Sequence, residues 1–268
     1  MDDMISSSNA VPTPDGQDAI IRIRGLKTAF GEHVVHEHLD LDVQRGEILG
    51  IVGGSGSGKS VLLRTIIGLN KQAAGTIEIN GRDQASLSRA EERTSRQDWG
   101  VLFQDGALFS SLTVAQNIQV PLREYYDLPL DVMDDLARSK ITMAGLPLEA
   151  ACMFPSDLSG GMRKRAALAR SLALDPKVLF LDEPTAGLDP IGAAAFDGLL
   201  KDLSESLRLT VFLVTHDLDT LYRVCDRVAV LGDKRILINA PLEDVVQFDH
   251  PWVKEYFGGP RARAAGIV

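Results

Sequence analysis

The sequence has few cysteines and aromatic residues, and it lacks any long apolar run. Its two cysteines, Cys152 and Cys225, are far apart without metal-ligand spacing, which predicts reduced thiols in a cytosolic protein rather than a disulfide framework. No apolar run approaches the roughly 20 residues that a membrane-spanning helix needs. Residues 1–18 are polar, acidic and turn-rich, without the apolar segment of a signal peptide, so we expect a disordered lead-in. Any role at a membrane would therefore depend on a partner.

The chain also lacks an excess of basic residues. It has 28 lysines and arginines against 37 aspartates and glutamates, a formal net charge of −9. Proteins that bind nucleic acid usually show a basic footprint, so we expect no nucleic-acid partner. The length of 268 residues allows one large α/β domain or two small ones.

Short apolar runs recur at the length of a strand. Residues 20–24 and 39–43 alternate apolar and polar residues, as half-buried strands do. Nearly continuous apolar runs, typical of buried parallel strands, cover residues 48–52, 178–181 and 211–214. Because such runs alternate with helical segments, the sequence predicts an α/β fold with a parallel core sheet.

Changes in composition predict the domain organisation. From about residue 87 to 160 the sequence is charged and has helical rather than strand periodicity, which indicates an inserted helical subdomain. Residues 228–238 are typical of a hairpin that turns at Gly232–Asp233. We therefore expect a folded domain at 19–240 and a C-terminal extension at 241–268.

The C-terminal extension predicts two short helices that are separated at Pro251. Trp252, Tyr256 and Phe257 would then cluster on one face. Two alternatives stay open, because these aromatic side chains could pack against their own domain or reach a partner.

A glycine-rich loop follows the run at 48–52 and matches the phosphate-binding pattern G-x-x-x-x-G-K-[ST] at every position. Its residues are Gly53, Gly54, Ser55, Gly56, Ser57, Gly58, Lys59 and Ser60. A helix start with free N–H groups attracts phosphate, and glycines let the backbone wrap around it. We expect Lys59 to contact the β- and γ-phosphates of a nucleotide and Ser60 to bind Mg²⁺.

Polar residues also follow three other strand-like runs, and in a parallel sheet such strand ends lie along one edge. Asp182 is a candidate for a direct or indirect Mg²⁺ ligand, and Glu183 could orient or deprotonate an attacking water. His216 could reach a γ-phosphate, and Gln104 could offer an amide oxygen to Mg²⁺ or water. The alternatives are a solvated loop for the two carboxylates and a local turn between His216 and Asp217.

A second anion-binding helix start is predicted at Ser159-Gly160-Gly161. One ATP does not need two such cradles from one subunit. We therefore expect the second cradle to close over the ATP of a second copy. The alternative is a glycine-rich cap on a structural helix.

Together these residues resemble the nucleotide-binding domain of ATP-binding-cassette (ABC) transporters over roughly residues 20–240. The resemblance implies a P-loop NTPase fold with a parallel core sheet, an antiparallel β-subdomain and an inserted helical subdomain. It further implies ATP and Mg²⁺ as cofactors, ATP hydrolysis coupled to transport, and an integral-membrane permease as partner.

The resemblance assigns a role to each candidate residue. The corresponding family motifs are the adenine-stacking aromatic (Phe30, usually tyrosine), the Walker A loop (53–60), the Q-loop residue (Gln104), the signature motif (Leu158 to Met162), the Walker B strand (178–182), the catalytic glutamate (Glu183), the D-loop (Gly187 to Asp189) and the switch histidine (His216).

Met162 departs from the family pattern, because most members have glutamine there. With residues 103–109 and 121–124, it resembles the ATPases of MCE-type lipid transporters. That resemblance implies phospholipid transport in a Gram-negative-type envelope, at the cytoplasmic face of the inner membrane. It also implies an MCE protein and a small STAS-type accessory protein as partners. The alternatives are an ABC ATPase for another cargo and a soluble ABC ATPase without a transport role.

Overall fold

Two β-sheets form the frame of the chain in the computed structural model, which describes residues 18–259. The expected lead-in, apart from Asp18, and the end of the C-terminal extension lie outside the described residues. In chain order the strands are β1 (Ala19–Phe30), β2 (His33–Gln44), β3 (Ile48–Gly53), β4 (Ala74–Ile79), β5 (Arg82–Asp83), β6 (Trp99–Leu102), β7 (Val178–Asp182), β8 (Thr210–Val214), β9 (Arg227–Gly232) and β10 (Arg235–Ala240).

The larger sheet has the strand order β10-β9-β3-β8-β7-β6. Its strands pair in parallel except for β10, which pairs antiparallel with β9. Every residue of β3, β7 and β8 is buried, as expected for nearly continuous apolar runs with both faces covered. The predicted parallel core sheet is confirmed.

The smaller sheet is antiparallel, with the order β2-β1-β4-β5. Ile21, Ile23 and Leu41 are buried in the main core cluster, while residues between them on the same strands are more exposed. This alternation is the pattern of a sheet with one face on the core. The predicted antiparallel β-subdomain is therefore present.

Helices cover both faces of the larger sheet and form a separate group after β6. They are α1 (Lys59–Ile66), α2 (Arg89–Arg96), α3 (Val114–Tyr125), α4 (Leu130–Met143), α5 (Gly160–Ser171), α6 (Pro190–Leu207), α7 (Leu218–Val224), α8 (Leu242–Gln247) and α9 (Pro251–Gly258). Short 3₁₀ segments lie at Gln84–Ser86, Leu148–Cys152 and Pro155–Asp157. Among the described residues, no helix is both long and apolar enough to cross a membrane.

One strand, β6, lies inside the range 87–160 for which the sequence predicts a helical subdomain. β6 pairs in parallel with β7 and belongs to the larger sheet. It has four residues, follows a charged, well-capped helix, α2, and includes the strand-like run before Gln104. The helices α3 and α4 pack with α5 around a core that includes Ile118, Leu122 and Ile141.

The C-terminal residues described, up to 259, form two short helices with α9 starting at Pro251, as predicted. Val253 and Phe257 are buried, in one cluster with residues of β9 and β10. Trp252 stacks on Tyr256 with ring centres 4.6 Å apart. In this part of the chain the aromatic residues thus pack against their own domain.

Gly100 in β6 packs closely against the end of α5, and a substitution there tests this packing. A Cβ at Gly100 would lie 2.0 Å from the carbonyl oxygen of Ser171, at the end of α5. The variant Gly100→Ala should lose about 1–3 kcal/mol of unfolding free energy, because strand or helix must shift. Urea unfolding measures this change. As control, Gly198→Ala adds a methyl with no atom within 4 Å and should gain about 0.5–1 kcal/mol. Equal stability of Gly100→Ala and the wild type would contradict this packing.

A buried histidine lies beneath the glycine-rich loop. His36 in β2 has no exposed surface, and its ring contacts the backbone at Gly58. A Cβ at Gly58 would lie 2.6 Å from His36 Nε2, so the ring lies directly against the loop. Burial lowers the pKa of His36 from 6.5 to about 4. The folded state therefore favours the neutral imidazole.

This lowered pKa predicts a pH-dependent stability. The contribution is fully present above pH 6.5 and is lost as pH falls from there toward 4, because the unfolded chain takes up the proton first. Relative to His36→Leu, the wild type should lose on the order of 2 kcal/mol of unfolding free energy between pH 7.5 and pH 5. Urea unfolding at several pH values gives this difference. His33→Leu removes an exposed imidazole on the same strand. Its unfolding free energy should change with pH as that of the wild type does. If the unfolding free energies of His36→Leu and the wild type change equally with pH, the prediction is refuted.

Candidate nucleotide-binding site

The carboxyl ends of three neighbouring strands meet at one edge of the larger sheet. Val214, the last residue of β8, is in register with Ile51 of β3 and with Asp182 of β7. The glycine-rich loop therefore emerges beside Asp182–Glu183 and beside the segment that carries His216. Ligands of open parallel sheets bind at this kind of edge.

The glycines of the loop are required by close backbone contacts and by their conformation. A Cβ at Gly53 would lie 2.3 Å from the carbonyl oxygen of Leu231. Gly58 has a φ of 100° and is the residue just before α1, a left-handed conformation that other residues rarely adopt. No side chain caps the start of α1, which leaves its first N–H groups available to phosphate.

Lys59 extends over the loop that precedes it. Its Nζ donates to the carbonyl oxygens of Gly53 at 2.8 Å and Gly54 at 3.0 Å. Burial lowers the pKa of Lys59, and the carboxylates of Glu183 and Asp182 act in the opposite direction. The hydroxyl of Ser57 is buried nearby without a hydrogen-bond partner. An ammonium held by neutral carbonyls can turn to an entering phosphate.

Ser60 and Asp182 form the predicted metal-binding pair. The Ser60 hydroxyl donates to Asp182 Oδ1 at 2.9 Å, and Asp182 is only 3% exposed. Residues 18–259 hold no cluster of three or more histidine, cysteine, aspartate or glutamate side chains suited to a metal. One hydroxyl and one carboxylate fit Mg²⁺, which commonly completes its octahedron with phosphate oxygens and water.

Glu183 and His216 form an ion-pair geometry at the sheet edge. His216 Nδ1 lies 2.7 Å from Glu183 Oε2, with the imidazole largely exposed and the carboxylate mostly covered. Glu183 has a φ of 50°, and its N–H donates to the Val214 carbonyl at 2.8 Å. The backbone therefore turns sharply at Glu183 and aims its side chain along the edge. A carboxylate placed in this way can accept a proton from water.

Gln104 follows β6 and is exposed. The main-chain carbonyl oxygen of Gln104 accepts a hydrogen bond from Lys164. The Nζ of Lys164 also donates to the main-chain carbonyl oxygen of Glu183 at 3.1 Å. No motif in the sequence assigns Lys164 a role. Its surrounding alanines, which form a buried helix face, were the only signal that this lysine is buried too.

The helix start that the sequence predicts as a second cradle is a serine-capped start of α5, and it faces outward. Ser159 caps α5, and its hydroxyl accepts the Met162 N–H at 3.3 Å. Ser159 and Gly160 are exposed, so this helix start is open to another molecule.

Phe30 and Asp189 also lie at exposed positions. Phe30 ends β1 and is 52% exposed, so its ring is free to stack. Asp189 caps α6 and accepts the Gly192 N–H at 2.9 Å. The structure thus brings together residues 53–60, Asp182, Glu183 and His216, and it leaves Phe30, Asp189 and the second cradle open on the surface.

The helix α9 reaches the same site, a contact that the sequence does not predict. The Tyr256 hydroxyl donates to the His216 carbonyl at 2.9 Å, and burial raises the pKa of Tyr256. A Cβ at Gly54 would lie 3.4 Å from Trp252 Nε1. A cleft of about 1030 Å³ lies between α9 and the Glu183–His216 pair.

Comparison with known proteins gives the site a family. A family model described as "ABC transporter" matches residues 36–186. A second model, described as "AAA domain, putative AbiEii toxin, Type IV TA system", matches residues 154–221.

Several curated relatives match most of the chain. The chain is 37% identical over 247 residues to the "Probable ribonucleotide transport ATP-binding protein mkl" of Mycobacterium leprae, covering 92% of this chain and 71% of that protein. It is 36% identical over 240 residues to the "Intermembrane phospholipid transport system ATP-binding protein MlaF" of Haemophilus influenzae, covering 90% of both. MlaF of Escherichia coli K12 is 35% identical, covering 90% of this chain and 89% of MlaF.

Solved structures share the fold. The ATP-binding cassette MJ0796, in a dimeric post-hydrolysis state with ADP and Pi, aligns with a TM-score of 0.76 at 30% identity, over 83% of this chain and 98% of that one. CbiO1 of Clostridium perfringens, part of the ABC transporter complex cbiONQ, aligns with a TM-score of 0.78 at 29% identity, over 94% and 99%. The phosphate loop, the adjacent carboxylates and the histidine lie at one sheet edge, and the relatives cover most of the chain. The chain therefore belongs to the ABC transporter family, as an ATP-binding ATPase domain.

Proposed function

We propose that this chain is the ATP-hydrolysing subunit of a transporter that moves phospholipid between the membranes of a Gram-negative-type cell envelope. The observation that carries the hydrolytic part is the Glu183–His216 pair, at 2.7 Å, beside the loop that holds Lys59. The phospholipid part rests on the MlaF relatives, which cover nine-tenths of the chain.

Each polar group at the edge has a task in ATP hydrolysis. Lys59 and the N–H groups at the start of α1 hold the β- and γ-phosphates. Ser60 and Asp182 would hold Mg²⁺, which neutralises charge on the phosphates. Glu183 accepts the proton of the attacking water. His216, held by Glu183, contacts the γ-phosphate.

Gln104 contributes from the side of the helical subdomain. Its amide oxygen would reach the attacking water or Mg²⁺. The subdomain that follows Gln104 passes the resulting motion to an integral-membrane permease. The transporter names carried by the relatives support this partner.

A second copy completes the active site. The start of α5, with exposed Ser159 and Gly160 and partly exposed Gly161, offers N–H groups that one ATP in the same chain does not need. In the assembled form it closes over ATP bound by the loop of the other copy, while Phe30 stacks on adenine. The dimeric MJ0796 structures support this arrangement.

The assembly lies at the cytoplasmic face of the inner membrane as a peripheral subunit. An MCE protein and a small STAS-type accessory protein are its further partners. The similarity to MCE-type ATPases in residues 103–109 and 121–124 supports both.

A second cargo has an observation in its favour. The mkl relatives, at 37% identity, carry a ribonucleotide transport name. Since a permease contacts the cargo, the ATPase site itself serves either one equally well.

Replacing the proposed base tests the hydrolytic role. Glu183→Gln should lower ATP turnover of the assembled complex by about 10²–10⁴-fold, because the amide cannot accept the proton. Nucleotide binding should persist, since Lys59 and Ser60 are unchanged. Glu205→Gln, the same substitution at an exposed site on α6, serves as the control and should turn over normally. Normal turnover in Glu183→Gln would contradict the role of Glu183 as the base in ATP hydrolysis.

The cargo is tested by purifying the tagged full-length chain from native membranes together with its bound proteins and lipids. The proposal predicts a permease, an MCE protein and enriched phospholipid. A permease that co-purifies with a ribonucleotide or a soluble solute receptor would overturn the phospholipid assignment.

A further inference from the structure

A single buried lysine joins three parts of the ATPase site. Lys164 is only 7% exposed and lies on α5, five residues after the Ser159 cap. Its ammonium donates both to the carbonyl oxygen of Gln104 and to the carbonyl oxygen of Glu183. The acceptors belong to two loops that leave different strands, β6 and β7. Among the described hydrogen bonds, Lys164 is the residue of α5 that bonds to both loops.

The loop after β6 is held by α5 at more than this point. Arg170, further along the same helix, donates to the carbonyl oxygens of Gly106 at 2.9 Å and Ala107 at 2.7 Å. Gly106 and Ala107 both have positive φ angles, of 74° and 49°. Arg170 of α5 thus holds a loop that is strained at Ala107. Among the described hydrogen bonds of α5, the one that reaches Glu183 comes from Lys164.

The lysine is surrounded by charges that suit an ammonium. Burial lowers the pKa of Lys164, while the carboxylates of Asp105, Glu183 and Asp182 act to raise it. A buried cation is expensive unless it is hydrogen-bonded and paired. Here two carbonyl acceptors and three nearby carboxylates offset that cost. A neutral side chain of the same length would leave both carbonyls without this donor.

We propose that Lys164 is a positioning residue for ATP hydrolysis, which fixes the backbone of Glu183 and of Gln104 relative to each other and to the start of α5. The inference rests on the proposed function. Lys164 touches no reacting atom, since its contacts are to main-chain oxygens. It places the carboxylate of Glu183 and the amide of Gln104 for the attacking water. When the cradle at Ser159 closes on a second copy, movement of α5 reaches both residues through this side chain.

Steady-state kinetics of full-length variants in the assembled complex test the proposal. Lys164→Met keeps the length of the side chain and removes the donor. It should lower kcat by about 10- to 100-fold, because small misplacements of catalytic groups have effects of this size. KM for ATP should stay within about twofold, since the phosphate loop is untouched. Lys164→Arg, which restores a cationic donor, should recover most of kcat.

Lys201→Met is the matched control. Lys201 is exposed on α6, and its substitution should change neither kcat nor KM. Thermal unfolding of each variant is measured alongside. If Lys164→Met does not fold, Lys164→Gln takes its place, because its amide retains a shorter donor. It should then show an intermediate loss of kcat at unchanged KM.

Three outcomes would overturn the proposal: an unchanged kcat in Lys164→Met or Lys164→Gln, a rise in KM that accounts for the loss, or no recovery with Lys164→Arg. Glu183→Gln separates this result from the hydrolytic role itself. If Glu183→Gln is inactive and Lys164→Met is normal, only the role of Lys164 is lost. If Glu183→Gln turns over normally, the proposed function is lost as well.

Discussion

The parallel register of β3, β8 and β7 is the constraint on which the rest of the structure depends. Val214 is aligned with both Ile51 and Asp182, and β3 continues for two more residues to Gly53. The residues that follow the three strands therefore lie along one edge of the sheet. The Ser60–Asp182 hydrogen bond at 2.9 Å joins the start of α1, which follows the glycine-rich loop after β3, to the end of β7. A shift of one residue in either pairing would also turn the buried side chains of these strands to the wrong face.

Residues 53–60, the Ser60–Asp182 hydrogen bond and the Glu183–His216 pair lie together within one chain, whereas the helix start at Ser159 faces outward. The helix that begins there also contacts the backbone of Gln104 and Glu183 through Lys164. In our proposal this side chain links binding at the exposed end of α5 to the hydrolytic residues. On the other side, Tyr256 holds the carbonyl of His216, so the C-terminal helix contacts the same edge.

Much of this arrangement could be predicted from the sequence. The runs at 48–52, 178–181 and 211–214 are strands because continuous apolar residues need burial on both faces. Polar residues after these runs predict that Glu183 and His216 lie along one edge, since parallel strand ends coincide. Their direct contact at 2.7 Å was not predicted. The run before Gln104 indicated a strand, but four residues within a charged segment gave no sign that β6 pairs with β7 in the larger sheet. The roles of Lys164, Tyr256 and His36 could not be predicted. Each depends on a backbone group brought close by tertiary packing, which leaves no pattern along the chain.

The central claim is that each ATP is held between Lys59 of one copy and Ser159 of another. Mixing two defective variants tests it most directly. Lys59→Met removes the phosphate contact, and Ser159→Arg blocks the exposed cradle; each alone should be inactive. In a mixed dimer one site retains both Lys59 and Ser159, so the mixture should recover ATP turnover that neither variant shows alone. A mixture as inactive as its two components, with mixed dimers present, would contradict the shared site.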